Sequence, residues 1–478
     1  MVTRSSLSYA LLLALLSCAL PLFAQQGAAS RELTVLYTND EHGWMEGMSP
    51  GQGAANLYNL WREREGYRED GPFLVLSGGD NWTGPAISTW VQGASMVDVM
   101  NAMHYDASAV GNHEFDFGLD ALSARASEAG FPYLGANIRW KATGRVPEDI
   151  GILPYTIVEK NGLSIGIIGL TTTSTPFVTM PTHVRDLDFT PYAAAVREVF
   201  PALAGTDLQF LISHVCMNEL EPLVREIVDL GIDLAGGGHC NELSARKIGD
   251  TIVLGGGYHF TAYASATFYY DPTQDRYLGT VYGTQQNRGG DADRVVDNIV
   301  AQWAGLSAEA LRETIAWNAS RLEQGGILDQ LIIDSWLAAY PDADIALTNR
   351  GGIRSALPAG EITLSAIVDI LPFDNTIIVA EVPGKVVEQA LREGGRPVVA
   401  GLIERNGEWF LSGSNTRLMP GANYTLLLNS FMYEGGNNFG MVREADPNGF
   451  DTGMSYSQPF TDWLKSRQST AENPLSFD

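Results

Sequence analysis

Residues 33–43 read Leu33-Thr34-Val35-Leu36-Tyr37-Thr38-Asn39-Asp40-Glu41-His42-Gly43, a strand-sized apolar run that ends in a carboxylate and an imidazole two positions apart. A run of this length predicts a buried strand, and its polar residues then emerge at the C-terminal end, where the glycine allows a tight turn and close backbone approach. The same arrangement recurs along the chain. Asp80 follows residues 73–77 through Gly78 and Gly79; Asn112 and His113 follow 107–110 and Gly111; His214 follows 208–213; His239 follows 232–235 through Gly236, Gly237 and Gly238. Further runs lie at 164–170 and 251–254, with helical patterns at 54–65, 95–103 and 119–129 between them. Alternating strands and helices predict an α/β fold, and in open α/β sheets ligands bind beyond the carboxyl ends of the strands.

A lone histidine is ordinarily a surface or satisfied core residue. Five segments delivering carboxylate, amide and imidazole groups to one sheet edge call for a different reading. Mixed nitrogen and oxygen donors suit borderline divalent ions such as zinc, manganese or iron. Asp80 can bridge two of them, and a pair of ions about 3.5–4 Å apart suits in-line displacement at phosphorus. The expectation is hydrolysis of a phosphate ester with two divalent metal ions.

The 478 residues exceed one ordinary core, and 45% apolar with 18% charged content is that of a globular chain of at least two domains. With 56 acidic against 30 basic residues, extended nucleic acid is excluded as a partner, while a small phosphorylated substrate is not, because bound cations dominate the local field. The pattern breaks at 285–290, and helical periodicity begins near Asp291. Fresh apolar runs at 345–348, 376–382 and 424–428, with a helical pattern at 385–392, predict a second α/β domain. The expected division is therefore 25–290, a linker helix over 291–315, and 316–478. Arg4 and the apolar stretch 7–23, ending at Ala24, read as a signal peptide over 1–24 and predict a periplasmic or secreted protein. A membrane anchor and lipoprotein-type processing at Cys18 are the alternatives; no other segment is apolar for long enough to span a bilayer. For Cys216 and Cys240 three roles stay open: thiolate ligands, buried small side chains, or a mutual disulfide.

In order, Asp40-Glu41-His42, Gly79-Asp80, Gly111-Asn112-His113-Glu114, His214 and Gly238-His239 resemble the motifs of calcineurin-like metallophosphoesterases. Residues 37–43 and 111–118 look like the 5′-nucleotidase and UDP-sugar hydrolase branch, and the second half looks like that family's C-terminal domain. The resemblance implies a sandwich of β-sheets flanked by helices, joined by a linker helix to a smaller α/β substrate-binding domain. It implies one metal held by Asp40, His42 and Asp80, and another by Asp80, Asn112, His214 and His239. Asn241 stands where the family has a His or Gln ligand, and His259 is either a compensating neighbour or structural. His113 and Asp116 match the catalytic dyad. Asn349 and Arg354 match substrate contacts, Phe373 and Phe431 match two aromatic residues that sandwich a base, and Asn437 replaces a carboxylate that binds the ribose hydroxyls. His104 and His183 are expected to be structural. The activity implied is release of phosphate from nucleoside 5′-phosphates, with nucleotide sugars as further substrates. The same chemistry on a cyclic nucleotide or a non-nucleotide monoester, and a degenerate binding protein, are the alternatives.

Overall fold

In the computed structural model the described residues are 31–271 and 276–477; the expected leader over 1–24, with Cys18, lies outside them. The strand Arg31–Thr38 is buried on both faces from Leu33 onward, as a strand with layers on either side must be. It lies inside a seven-stranded sheet whose spatial order is Arg276–Gln286, Ala262–Asp271, Arg31–Thr38, Phe73–Ser77, Ala107–Ala109, Tyr133–Leu134, Ile152–Leu153. It pairs parallel with Phe73–Ser77 and antiparallel with Ala262–Asp271.

A second sheet of six strands runs Leu243–Ile248, Thr251–Gly256, Leu234–Gly237, Leu208–His214, Leu163–Thr171, Tyr155–Lys160. Leu33, Val35, Leu74 and Leu76 of the first sheet share one core with Ile165, Ile167, Phe210 and Ile212 of the second, so the sheets face each other. The opposite side chains of the same strands, Leu36 and Val75, pack under Leu57, Trp61, Met96 and Met100 of the helices Ala54–Arg64 and Ala94–Ala102. On the far side Ile168, Leu170 and Leu211 are covered by Val196 of Tyr192–Val199 and by Leu220 and Leu223 of Met217–Glu226. Alternation of strand and helix alone reads as one sheet. The chain makes two because strands buried on both faces can share one apolar layer and cover the outer faces with helices.

Helical periodicity, expected from residue 291, is realised as Arg294–Ala310, where Asp293 caps the helix by accepting from the N–H groups of Val295 and Val296. Val296 and Val300 of this helix pack into the core beneath the first sheet. Beyond it a five-stranded sheet runs Val398–Ala400, Ile345–Thr348, Asn423–Asn429, Thr376–Pro383, Phe450–Ser455. Its residues alternate between two cores: Ala346, Leu427 and Ile377 face the helices Ile327–Ala339 and Gln458–Ser466, while Leu347, Leu428 and Ile378 face Gly384–Glu393 and Met441–Ala445. The expected α/β class holds in both halves. Among the described residues no helix is long and apolar enough to cross a membrane.

Candidate active site

The strand ends converge as expected. Asp40, His42, Asp80, Asn112 and His239 line one cavity of about 280 Å³, and His214 lies buried beside them. The turns that present them are sharp: φ is +53° at Asp40, +47° at His42, +59° at Asp80, +71° at His239 and +58° at Asn241. Left-handed backbone costs an L-residue roughly 1–2 kcal/mol, so something must hold these turns. Two buried acids do much of it. Glu114 accepts from the backbone N–H groups of Asp80 (2.9 Å), Asn81 (2.7 Å) and Gly111 (2.6 Å), tying the second loop to the third. Glu41 accepts from Thr38, Ser77 and the Asn81 amide, tying the first loop to the second. Asp40 in turn accepts the His239 N–H at 3.0 Å, joining the two sheets at the site.

Gly111 shows how tight the arrangement is. A Cβ there would lie 2.1 Å from Oδ1 of Asp80. Gly111→Ala is therefore expected to push the Asp80 carboxylate aside and lower bound metal by roughly 10- to 100-fold in affinity, the scale of a disturbed ligand support. Metal titration of the variant, with a circular dichroism melt to show that it folds, checks this.

Two of the imidazoles are aimed by backbone carbonyls. His42 Nδ1 lies 2.9 Å from the Thr83 oxygen and His214 Nδ1 2.8 Å from the Gly78 oxygen, so both turn Nε2 toward Asp80. Nε2 of His214 is 2.8 Å from Asp80 Oδ2, and that of His42 is 3.8 Å from both Asp80 Oδ2 and Asp40 Oδ1. Two groups have ligand atoms all within 4.8 Å of one another, His42 with Asp80 and His113, and Asp80 with His214 and His239; Asp80 belongs to both. Asn112 Oδ1 is buried, and among the described residues nothing donates to it. A buried acceptor of this kind is costly unless a donor or a cation meets it, so the donor set fits divalent ions.

Charge balance agrees. Burial alone would depress His214, but Asp80 reverses that and pushes its pKa up to about 10, a mark of the anionic field around its ring. Burial opposes the charge on Asp80, yet His214 and His113 hold it well below the ordinary carboxylate range. Burial, with help from His214, brings His239 down to about 4.

His113 Nδ1 is 2.6 Å from Asp116 Oδ2, an arrangement that leaves Nε2 for the cavity. Burial would lower its pKa, but Asp116 and Asp80 raise it above the ordinary value. From the second half, Asn349, Arg354, Phe373, Phe431 and Asn437 line the same cavity. The Phe373 ring stacks on His113 at 6.0 Å and 25°, and the Arg354 guanidinium carbon lies 5.9 Å from the centre of that ring. Asn437 is also left-handed, at φ +50°.

Other expectations change. His183, expected to be structural, lines the cavity with Thr179 and Met180, and its Nδ1 meets the Phe115 carbonyl at 2.9 Å. These residues lie several positions past the end of strand Leu163–Thr171, around Pro176 and Pro181, rather than at the strand end itself. His259 belongs to neither candidate group; its ring stacks on Trp44 at 5.0 Å and meets His42 edge-on at 5.6 Å, backing that imidazole. Asn241 lines the cavity and also an adjoining one of about 480 Å³ with Trp44, His259, Arg321 and Arg354. Cys216 and Cys240 form a disulfide and are thus not thiolate ligands. His104 pairs with Glu69 at 3.2 Å, away from the site.

A two-sheet α/β sandwich with such a donor set at its strand ends defines a metallophosphoesterase-type domain. The family model for the 5′-nucleotidase C-terminal domain matches residues 305–444. Snake venom 5′-nucleotidase of Crotalus adamanteus is 27% identical, over 87% of this chain and 83% of its own length. The 5′-nucleotidase of Vibrio parahaemolyticus is 26% identical over 98% and 95%. The crystal structure of a 5′-nucleotidase precursor from Thermus thermophilus superposes with a TM-score of 0.78 at 24% identity, over 93% of this chain and 98% of that one. Over most of its length the chain is thus similar to 5′-nucleotidases, and residues 305–444 match the C-terminal domain of that family.

Proposed function

We propose that this protein is an exported phosphoesterase that uses two divalent ions to release phosphate from nucleoside 5′-phosphates. One observation carries the nucleotide part: Phe373 and Phe431 line the same cavity as the ligand set, with Phe373 stacked on His113. Base and phosphate would then be held in one cleft between residues 25–290 and 316–478, with the helix between them as the linker. In this reading Asp40, His42, Asp80 and Asn241 hold one ion and Asp80, Asn112, His214 and His239 the other, with zinc, manganese and iron as the metals their donors suit. Bound there, such ions would neutralise phosphate charge and activate water at neutral pH.

The chain's own groups supply the rest. His113, steadied through Nδ1 by Asp116, keeps a proton at Nε2 for the phosphoryl oxygen on which charge develops. Arg354 offers paired donors to phosphate oxygens. Asn429 donates to Asn349 Oδ1 at 2.9 Å, which leaves the Asn349 amide N–H groups for substrate. Asn437 receives the ribose hydroxyls as a neutral amide. Export is supported by the leader pattern, by the venom relative and by the disulfide, a bond of oxidising compartments.

The test is phosphate release from nucleoside monophosphates, cyclic nucleotides and 4-nitrophenyl phosphate with added Mn²⁺ or Zn²⁺. Metal bound without release from any ester would sink the hydrolase reading. Phe373→Ala is expected to raise KM for AMP roughly 5- to 150-fold, the equivalent of 1–3 kcal/mol of base stacking, while sparing 4-nitrophenyl phosphate. Equal loss on both would count against stacking. The adjoining 480 Å³ cavity, open at His42 and Arg354, supports a second reading in which nucleotide sugars extend past the phosphate.

A further inference from the structure

The segment that follows strand Leu163–Thr171 is a strap between the two halves of the molecule. Its helix Thr175–Val178 touches the turn Gly436–Asn438, and Met180 packs against the second-half core that contains Val386, Val387 and Phe431. On its other side the strap grips the proposed dyad. Thr179, 2% exposed, donates from Oγ1 to Asp116 Oδ1 at 2.9 Å, and His183 Nδ1 meets the carbonyl of Phe115, the residue before Asp116. Thr179 is itself held in place, its N–H donating to the Thr175 carbonyl at 3.1 Å.

We infer that Thr179 is a positioning residue: its hydroxyl fixes the Asp116 carboxylate, and through it His113, while the strap bearing it rests on the second half. The inference depends on the His113–Asp116 reading above. Asp116 is 8% exposed, and its Oδ2 is committed to His113. A carboxylate held by one oxygen alone can swing about its Cβ–Cγ bond. A second donor at Oδ1 removes that freedom, and a β-branched side chain, stiff at χ1, is suited to hold the donor still. Loss of the hydroxyl leaves a buried carboxylate oxygen unpaired, a cost that the swing relieves at the expense of the His113 contact. The strap's seat on Met180 also means that dyad alignment and the packing of the two halves rest on the same short segment.

The experiment is steady-state hydrolysis of AMP with Mn²⁺, read as kcat and KM separately, with metal content measured on every variant. Thr179→Val is expected to lower kcat about 10- to 100-fold, with KM within about threefold and metal content unchanged, and Thr179→Ser to restore kcat to within about threefold of the parent. In an Asp116→Ala background Thr179→Val is expected to add less than about twofold, because the group it positions is gone. A kcat for Thr179→Val within about threefold of the parent, while His113→Ala is severely impaired, would overturn the inference. So would an undiminished effect in the Asp116→Ala background. If His113→Ala itself keeps full kcat, the dyad reading has failed, and that result is told apart by its own variant.

Discussion

Asp80→Ala is expected to abolish stable binding of the metal pair and to lower phosphate release on the order of 10³-fold or more, as loss of the bridge between two ions would. Asp80 is the residue common to both ligand groups. Its two oxygens already serve both sides, Oδ1 accepting the His113 N–H at 2.8 Å and Oδ2 facing His214 Nε2 at 2.8 Å. Without the carboxylate, His214 loses its ion-pair partner, and of the two carboxylates beside His42 only Asp40 is left to attract cations. Metal analysis after desalting reads the first effect and phosphate release the second. The backbone adds a complication, because φ at this position is +59° and alanine tolerates it poorly. Asp80→Gly relieves that strain and serves as the control: the same metal loss in both variants assigns the effect to the carboxylate. Full metal occupancy in Asp80→Gly would refute the bridging role.

His113→Ala is expected to behave in the opposite way toward metal. Its ring is held by Asp116 and packed under Phe373, and the reading given above makes it a donor to the phosphoryl group rather than a ligand. The variant should retain metal while kcat falls roughly 10²–10⁴-fold, the range for losing a positioned acid or transition-state donor. Because the ring also forms a group with His42 and Asp80, metal content is the deciding measurement. Loss of one ion equivalent in His113→Ala would move the residue from donor to ligand.

The strand ends were legible because burial on both faces leaves a simple mark: residues 33–38 and 73–77 are unbroken apolar or small runs, and they lie within the strands Arg31–Thr38 and Phe73–Ser77. The hairpin of Ala262–Asp271 and Arg276–Gln286 was missed. Small and aromatic residues alternate there with Ser and Thr, a pattern of one covered face that lacks the punctuation of a βα unit. Glu41 and Glu114 stood in the quoted motifs without a role, since only the fold shows that each carboxylate collects donors from loops more than thirty residues apart. Thr179 and His183 left less trace. A threonine and a histidine in a segment interrupted by Pro176 and Pro181 follow no periodicity, and their placement comes from contacts on both halves that local pattern cannot encode.

The disulfide joins Cys216, two residues past His214, to Cys240, the residue after His239, across a sequence separation of 24. In the proposed reading two events therefore share one element: oxidation of the thiol pair and capture of an ion by His214 and His239. Thermodynamic reciprocity binds them together. Whatever factor the intact bond adds to ion affinity, a captured ion must return as resistance of that bond to reduction. In a reducing medium with scarce metal the same two loops would lose both restraints, each loss favouring the other by that shared factor.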